Sequence, residues 1–219
     1  MLVNPAIDRL NRPMLEARAS ELLRDYQRRF APITAPPVPV EKIADLHLGL
    51  SFDWLTIPDD DRQPILGYIQ AGAKTICLNE RRQDHFDQFA GSLEFTIAHE
   101  VGHYLMHLVE ELSEPLPLAS GQSVGYICRH ITEHENAPMD WREWQANVFA
   151  SYLLMPHDLL IPAFQRVDLT WDSLYQLRDQ FQVSISALTK RLQELNLLYI
   201  EDKRLYRSEQ EAKGQVRLL

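Results

Sequence analysis

Cysteine is nearly absent from this chain, with only Cys77 and Cys128 among 219 residues. So few exclude a disulfide framework and favour a reducing, cytoplasmic home. Glycine is also sparse, at eight residues, and no repeat or low-complexity tract occurs. Collagen-like and disordered descriptions of the whole chain are thereby excluded. No apolar run reaches the ~18 residues of a membrane span. The opening stretch, MLVNPAIDRLNRPML, lacks the apolar core of a secretory signal. An excess of positive charge is missing too: the net charge is −9, and residues 32–186 carry nine basic against twenty-two acidic side chains. Residues 1–31 and 187–219 are each mildly basic, at +2. An acidic body repels a phosphate backbone, which excludes a nucleic-acid groove in that body. The remaining composition, 45% apolar and 24% charged, is that of a globular protein long enough to bury a core without staples.

The pattern along the chain predicts a mixed α and β organisation. Leu15, Leu22, Leu23, Tyr26 and Phe30 recur at helical spacing over residues 14–30. Four prolines make Ala31–Val40 an extended connector, and Glu41–Leu48 reads as a short helix ended by Gly49. Leu50–Leu55, Ile65–Gln70 and Lys74–Asn79 read as strands, the last two joined by a turn at Ala71-Gly72-Ala73. Between the first two, the Asp59-Asp60-Asp61 run lacks the glycine and distal glutamate of a calcium loop and reads as a solvated turn. Residues 113–140 form a long irregular excursion, and Trp141–Met155 a second apolar helix stopped at Pro156. The tryptophans Trp141, Trp144 and Trp171 read as core or cleft wall. Leu174–Leu198 has helix–turn–helix character, broken at Gln182-Val183-Ser184, and Glu201–Leu219 reads as a charged, fraying tail.

One motif carries chemistry. His99-Glu100-Val101-Gly102-His103 is an H-E-x-x-H inside an apolar helical run that includes Ile97, Ala98, Val101 and Leu105. Residues four apart are separated by about 400° of helical rotation, so both imidazoles leave one face and can hold one metal ion. Glu100 lies about 100° around from His99, placed to take a proton from an activated water. The alternative, a buried helix with incidental histidines, would bury two His and a Glu at considerable cost.

A catalytic zinc takes a third protein ligand and keeps one position open. A third histidine six residues past His103 would complete one known pattern, but Val109 stands there. A glutamate from a later helix would complete another, and Glu143 opens the Trp141–Met155 helix. Asn147, four residues on, shares its face and is placed to hold the free nitrogen of a ligating imidazole. On spacing alone Glu143 is equally an N-terminal helix acid favoured by the macrodipole. Glu133 and Glu135 compete from the loop, where ligand geometry is harder to fix.

At this point the chain resembles a known family. Phe95-Thr96-Ile97-Ala98-His99-Glu100-Val101-Gly102-His103 followed by Glu143-x-x-Ala146-Asn147-x-Phe149-Ala150-x-x-Leu153-Leu154-Met155-Pro156 is similar to the ImmA/IrrE metallo-endopeptidases. Ile76-Cys77-Leu78-Asn79 and Phe181-x-Val183-Ser184 leading to Arg191-Leu192 extend the resemblance over residues 33–200. It implies an α+β fold: a zincin-like metallopeptidase domain with a small antiparallel sheet and an active-site helix, plus a C-terminal helix-turn-helix-like segment. The implied division is an N-terminal helix and linker over 1–32, the peptidase domain over 33–165, helices over 166–200 and a tail over 201–219. The resemblance further implies Zn2+ held by His99, His103 and Glu143, with Glu100 as the base. It also implies cleavage of a protein, often a helix-turn-helix repressor whose loss releases stress-response or mobile-element genes. The 39 residues between His103 and Glu143 are a long interval for the family and bear on the shape of the cleft rim.

Other residues remain open. His107, four after His103, is a second-shell or cleft histidine, a third ligand in place of Glu143, or an ordinary buried His. Cys128, His130 and His134 form either a second zinc site or a polar loop. No oxyanion donor is singled out; His107 and Tyr152 are candidates by helix phase alone, and Lys74–Asn79 is a strand on which an extended substrate could pair. The reading is a cytoplasmic zinc endopeptidase with no membrane association and no direct nucleic-acid partner. Its rivals are a DNA-binding regulator with a structural zinc, Lys190 and Arg191 supplying charge on the second helix, and a sensor or toxin component with a metal but little turnover.

Overall fold

The computed structural model describes residues 10–58, 64–108, 125–129 and 140–214. Helix α1 (Arg12–Arg29) starts where the Asn11 side chain accepts a hydrogen bond from the Met14 amide and a proline occupies the first turn. It buries Leu15, Ala19, Leu22, Leu23 and Tyr26 on one stripe, as the 3.6-residue period requires. After the proline-rich connector, a short helix α2 (Val40–Lys42) runs on as a π-turn over Ile43–His47 and ends before Gly49, at φ 68°.

Strands β1 (Ser51–Leu55), β2 (Ile65–Gln70), β3 (Thr75–Asn79) and β4 (Gly125–Arg129) form one sheet in the order β1-β3-β2-β4. The turn at Ala71–Ala73 brings β2 antiparallel to β3, with Gly67 opposite Leu78 and Gln70 opposite Thr75. Two expectations are corrected here. The sheet is mixed rather than antiparallel, because β1 runs parallel to β3, with Ser51 opposite Thr75 and Leu55 opposite Asn79. The chain leaves β1, passes β3's place and returns as β2 on its far side, so β3 fills the gap between two opposed strands. Strand β3 therefore has both edges paired and cannot accept a substrate strand; among the described residues the sheet's edges are β1 and β4. Strand β4 also places ordered pairing inside the expected irregular excursion, with Tyr126 opposite Ile69.

Helix α3 (Gln83–Gln88) leads to α4 (Ser92–His103), which continues as a π-turn over Tyr104–Leu108. Every residue of α4 from Thr96 to His103 is buried, because the helix lies between the sheet and α5 (Trp141–Leu154). Gly67 on β2 admits α4 closely: a Cβ there would meet Cys77 O at 2.8 Å and Thr96 Cγ2 at 3.2 Å. Helix α1 packs on the outer side of α5. Next come α6 (His157–Gln165), begun at Pro156 and not foreseen from the sequence, then α7 (Trp171–Phe181) and α8 (Ile185–Glu194). Between the last two, Gln182 adopts φ 50° and Ser184 accepts a hydrogen bond from the Ala187 amide, so the break falls where expected.

The tail is a further correction. Residues 201–212 are folded, with β5 (Tyr199–Glu201) paired to β6 (Arg204–Tyr206) and a last turn α9 (Glu209–Ala212). One apolar core runs from Leu10 to Leu198, so the N-terminal helix and the C-terminal helix pair share it with the sheet and α4. Trp141, expected in core or cleft wall, is 41% exposed and meets Trp144 edge-on. Among the described residues no helix is long and apolar enough to cross a membrane.

Candidate metal centre

The helical period delivers His99 and His103 to the same face of α4, where both are buried and their Nε2 atoms stand 2.9 Å apart. Helix α5 begins with Asp140, whose side chain accepts a hydrogen bond from the Arg142 amide, and its first turn carries Glu143. That position favours a carboxylate through the positive end of the helix dipole. Glu143 Oε1 lies 3.1 Å from His103 Nε2 and Oε2 lies 3.2 Å from His99 Nε2. The three residues offer ligand atoms within 4.8 Å of one another, close enough to bind one metal ion.

The two helices meet so closely because of Gly102. A Cβ at this position would stand 3.1 Å from Phe149 Cδ1 and 3.3 Å from Ala146 Cα. Glycine inside a helix costs about 1 kcal/mol relative to alanine, so its presence in an apolar helical run is the sequence signal for such an approach.

Protonation states follow from the same packing. Burial pushes the His103 imidazole below its ordinary value, as does the neighbouring His99, outweighing Glu143. Burial alone would raise the Glu143 carboxyl, yet its hydrogen bonds with His103 and His99 hold it down at about 2. Asn147, one turn after Glu143, accepts a hydrogen bond from His99 Nδ1 at 3.0 Å. That bond fixes the tautomer and leaves Nε2 as the donor atom facing Glu143. Two imidazole nitrogens and a carboxylate are the donor set of a divalent borderline cation such as zinc.

The other candidates fall differently. Glu100 is fully buried on α4 beside His99. His107 is buried, with its ring 5.4 Å from that of His103, and stands outside the three-residue cluster. Burial above all, and His103 next, push its imidazole down to about 4. Tyr152 turns away: its hydroxyl accepts a hydrogen bond from Arg12 at 3.4 Å, and Arg191 lies over its ring at 4.1 Å. The alternative Cys128, His130, His134 site, the loop acids Glu133 and Glu135, Val109, and Asp59-Asp60-Asp61 fall outside the described residues, apart from the backbone of Cys128 in β4.

Comparison with known proteins bears on this arrangement. The family model Peptidase_M78, described as the IrrE N-terminal-like domain, matches residues 58–193. The chain belongs to this peptidase family. The matched M78 span holds α4 and α5, and with them all three residues of the cluster. Helix α1 precedes it. Among solved structures, a Mycobacterium tuberculosis transcriptional regulator is similar to this M78 protein at 15% identity and a TM-score of 0.45. The likeness covers 83% of this chain and 50% of that one, so the chain spans half the regulator's length. No curated protein matches the chain.

Proposed function

We propose that this M78-family protein is a cytoplasmic zinc-dependent endopeptidase that hydrolyses a peptide bond in a protein substrate, a helix-turn-helix repressor. The observation that carries the reading is the convergence of His99, His103 and Glu143 from two helices of a peptidase-family domain. A zinc ion held by these three residues supplies Lewis acidity for an attacking water and for the scissile carbonyl. Glu100, next to His99 in the chain, takes a proton from that water and passes it to the leaving amine nitrogen. Asn147 holds the His99 ring in its tautomer, and burial keeps His103 neutral. An extended substrate meets an open sheet edge at β1 or β4 among the described residues. The net −13 of residues 32–186 favours a basic partner, as a DNA-binding repressor is.

The test uses purified full-length chain, assayed for zinc and incubated with a small helix-turn-helix repressor encoded beside it. The expected result is about one zinc per chain, lost in His99→Ala and Glu143→Ala, together with a single cut in the repressor. Glu100→Gln keeps the metal and slows cleavage by about 10²–10⁴-fold. Cleavage at the normal rate by Glu100→Gln would refute the mechanism.

A further inference from the structure

One face of α8 is turned to a purpose that the metal cluster does not explain. Ser186, Ala187, Lys190, Arg191 and Glu194 recur at the helical period and line a cavity of about 500 Å³. Helices α1, α4 and α5 supply further walls. None of His99, Glu100, His103 or Glu143 lines it, so it is a compartment apart from the candidate metal centre.

The lining changes character along α8. Near the start of the helix it is apolar, with Val183 and Ala187 joined by Phe95 of α4 and Val148 of α5. The later turns contribute Lys190, Arg191 and Glu194, and Arg12 of α1 joins them. With His85 neutral, the lining carries three cations and one carboxylate, in a chain whose net charge is −9. That carboxylate is shared. Glu194 pairs with Arg12 through Oε1, and its Oε2 stands 3.8 Å from Arg191 Nη1. Arg191 is buried; it also pairs with Glu16, which is not part of the lining, and lies over the Tyr152 ring at 4.1 Å. These contacts hold two planar guanidinium groups at one end of the cavity, the geometry that receives a carboxylate. An acid entering from solution meets an excess of positive charge there, whereas an ammonium ion meets repulsion.

We propose that this cavity binds a small organic anion, a carboxylate carried on an apolar body. The carboxylate lies among Arg12, Lys190 and Arg191, and the body lies against Phe95, Val148, Val183 and Ala187. A volume of this size suits a small-molecule ligand. The site stands whether or not the metal centre cuts a protein. Lys190 and Arg191, which a DNA-binding reading would give to a phosphate backbone, both line the cavity instead.

The test measures binding. Full-length chain, both as purified and after metal removal by a chelator, is titrated calorimetrically with phenylbutyrate. The controls are neutral phenylbutyramide, cationic phenylbutylammonium, and acetate, which has the charge without the body. Phenylbutyrate is expected to bind at least about tenfold more tightly than each control, equally with and without metal. Lys190→Glu, at an exposed position, should weaken phenylbutyrate about tenfold or more. Glu194→Gln removes the lining carboxylate and should tighten it about threefold or more, and the amide should respond to neither change. Opposite shifts confined to the anion are not the signature of a damaged fold. Amide bound as tightly as phenylbutyrate, or no phenylbutyrate binding up to about 10 mM, would overturn the proposal. Unchanged affinity in both variants would overturn it too. Binding that requires the metal would put the anion on the ion, overturning the cavity site and leaving the metal reading intact. The series on the unaltered chain decides the matter even if a variant fails to fold.

Discussion

Replacing Gly102 by alanine would drive one methyl group into the seam that holds the two ligand-bearing helices together. The new Cβ would lie 3.1 Å from Phe149 Cδ1, 3.3 Å from Ala146 Cα and 3.4 Å from Ala146 O. Carbon atoms at optimal separation stand about 3.5–4.0 Å apart, so the two carbon contacts are compressed, while the one to Ala146 O is an ordinary contact. Phe149 and Ala146 are fully buried, and two of the three atoms are backbone, which leaves a shift of α5 as the route to relief. Overpacking of this kind costs about 1–3 kcal/mol, and the better helix propensity of alanine offsets about 1 of that. The net effect is a stability loss of up to about 2 kcal/mol, visible as a lower urea midpoint at unchanged slope. The larger consequence is for metal binding. Glu143 lies three residues before Ala146 on α5, so the same shift separates it from His99 and His103. Zinc affinity, read by competition with a chromogenic chelator, is expected to fall about tenfold or more. A Gly102→Ala protein that is about 1 kcal/mol more stable than the parent, with unchanged zinc affinity, would show that the seam has room and that Gly102 does not set the site.

Asn147→Ala is expected to weaken zinc binding by about 10–100-fold, and Asn147→Asp to restore it, by the same chelator competition; equal affinity in all three proteins would remove Asn147 from the site. The metal-free chain should lose stability on acidification. The His107 imidazole falls from 6.5 to about 4 on folding, so the unfolded chain binds the proton first. The stability is complete above pH 6.5 and is lost as pH falls towards 4, on the order of 3 kcal/mol at about 1.4 kcal/mol per pH unit. Urea titrations of the metal-free protein at several pH values test this, and a His107→Phe variant with an equally steep loss would refute it. Arg191, only 2% exposed, pairs with Glu16 of α1 and lies over Tyr152 of α5. Arg191→Ala should cost about 2 kcal/mol or more, and a loss under about 0.5 would show that this tie between α1, α5 and α8 is idle.

What the sequence disclosed and what it concealed divide along the range of the interactions. His99 and His103 were legible because a four-residue spacing in an apolar helix is a local property with one geometric outcome. Glu143 was open on spacing alone, since a glutamate in the first turn of a helix satisfies the dipole wherever the helix goes. It was the resemblance of the longer motif that singled it out, and contact between α4 and α5 brings it to His103. Strand order is non-local. Nothing in Lys74–Asn79 announces that β1 will lie parallel beside it, and so the strand expected to receive a substrate proved to be interior. The 199–206 hairpin hid behind its charge: Tyr199 and Tyr206 pair across it, two aromatics among polar neighbours, too few to show an alternating pattern. The cavity between α4, α5 and α8 could not be read at all, because its walls come from five helices and a strand distant in sequence.

The junction of α4 with α5 has a consequence for how long the chain survives. Thirty-nine residues separate His103 from Glu143, and a single ion held by both would close that span as a covalent bridge does. Closing a loop of about 40 residues removes on the order of 4 kcal/mol of denatured-state freedom by the chain-entropy argument. In a protein with two cysteines, such an ion would be a reversible cross-link that thiol reductants cannot cut. Withdrawing a metal bound there would loosen the chain and expose it to proteolysis, so cellular abundance would follow the supply of that metal.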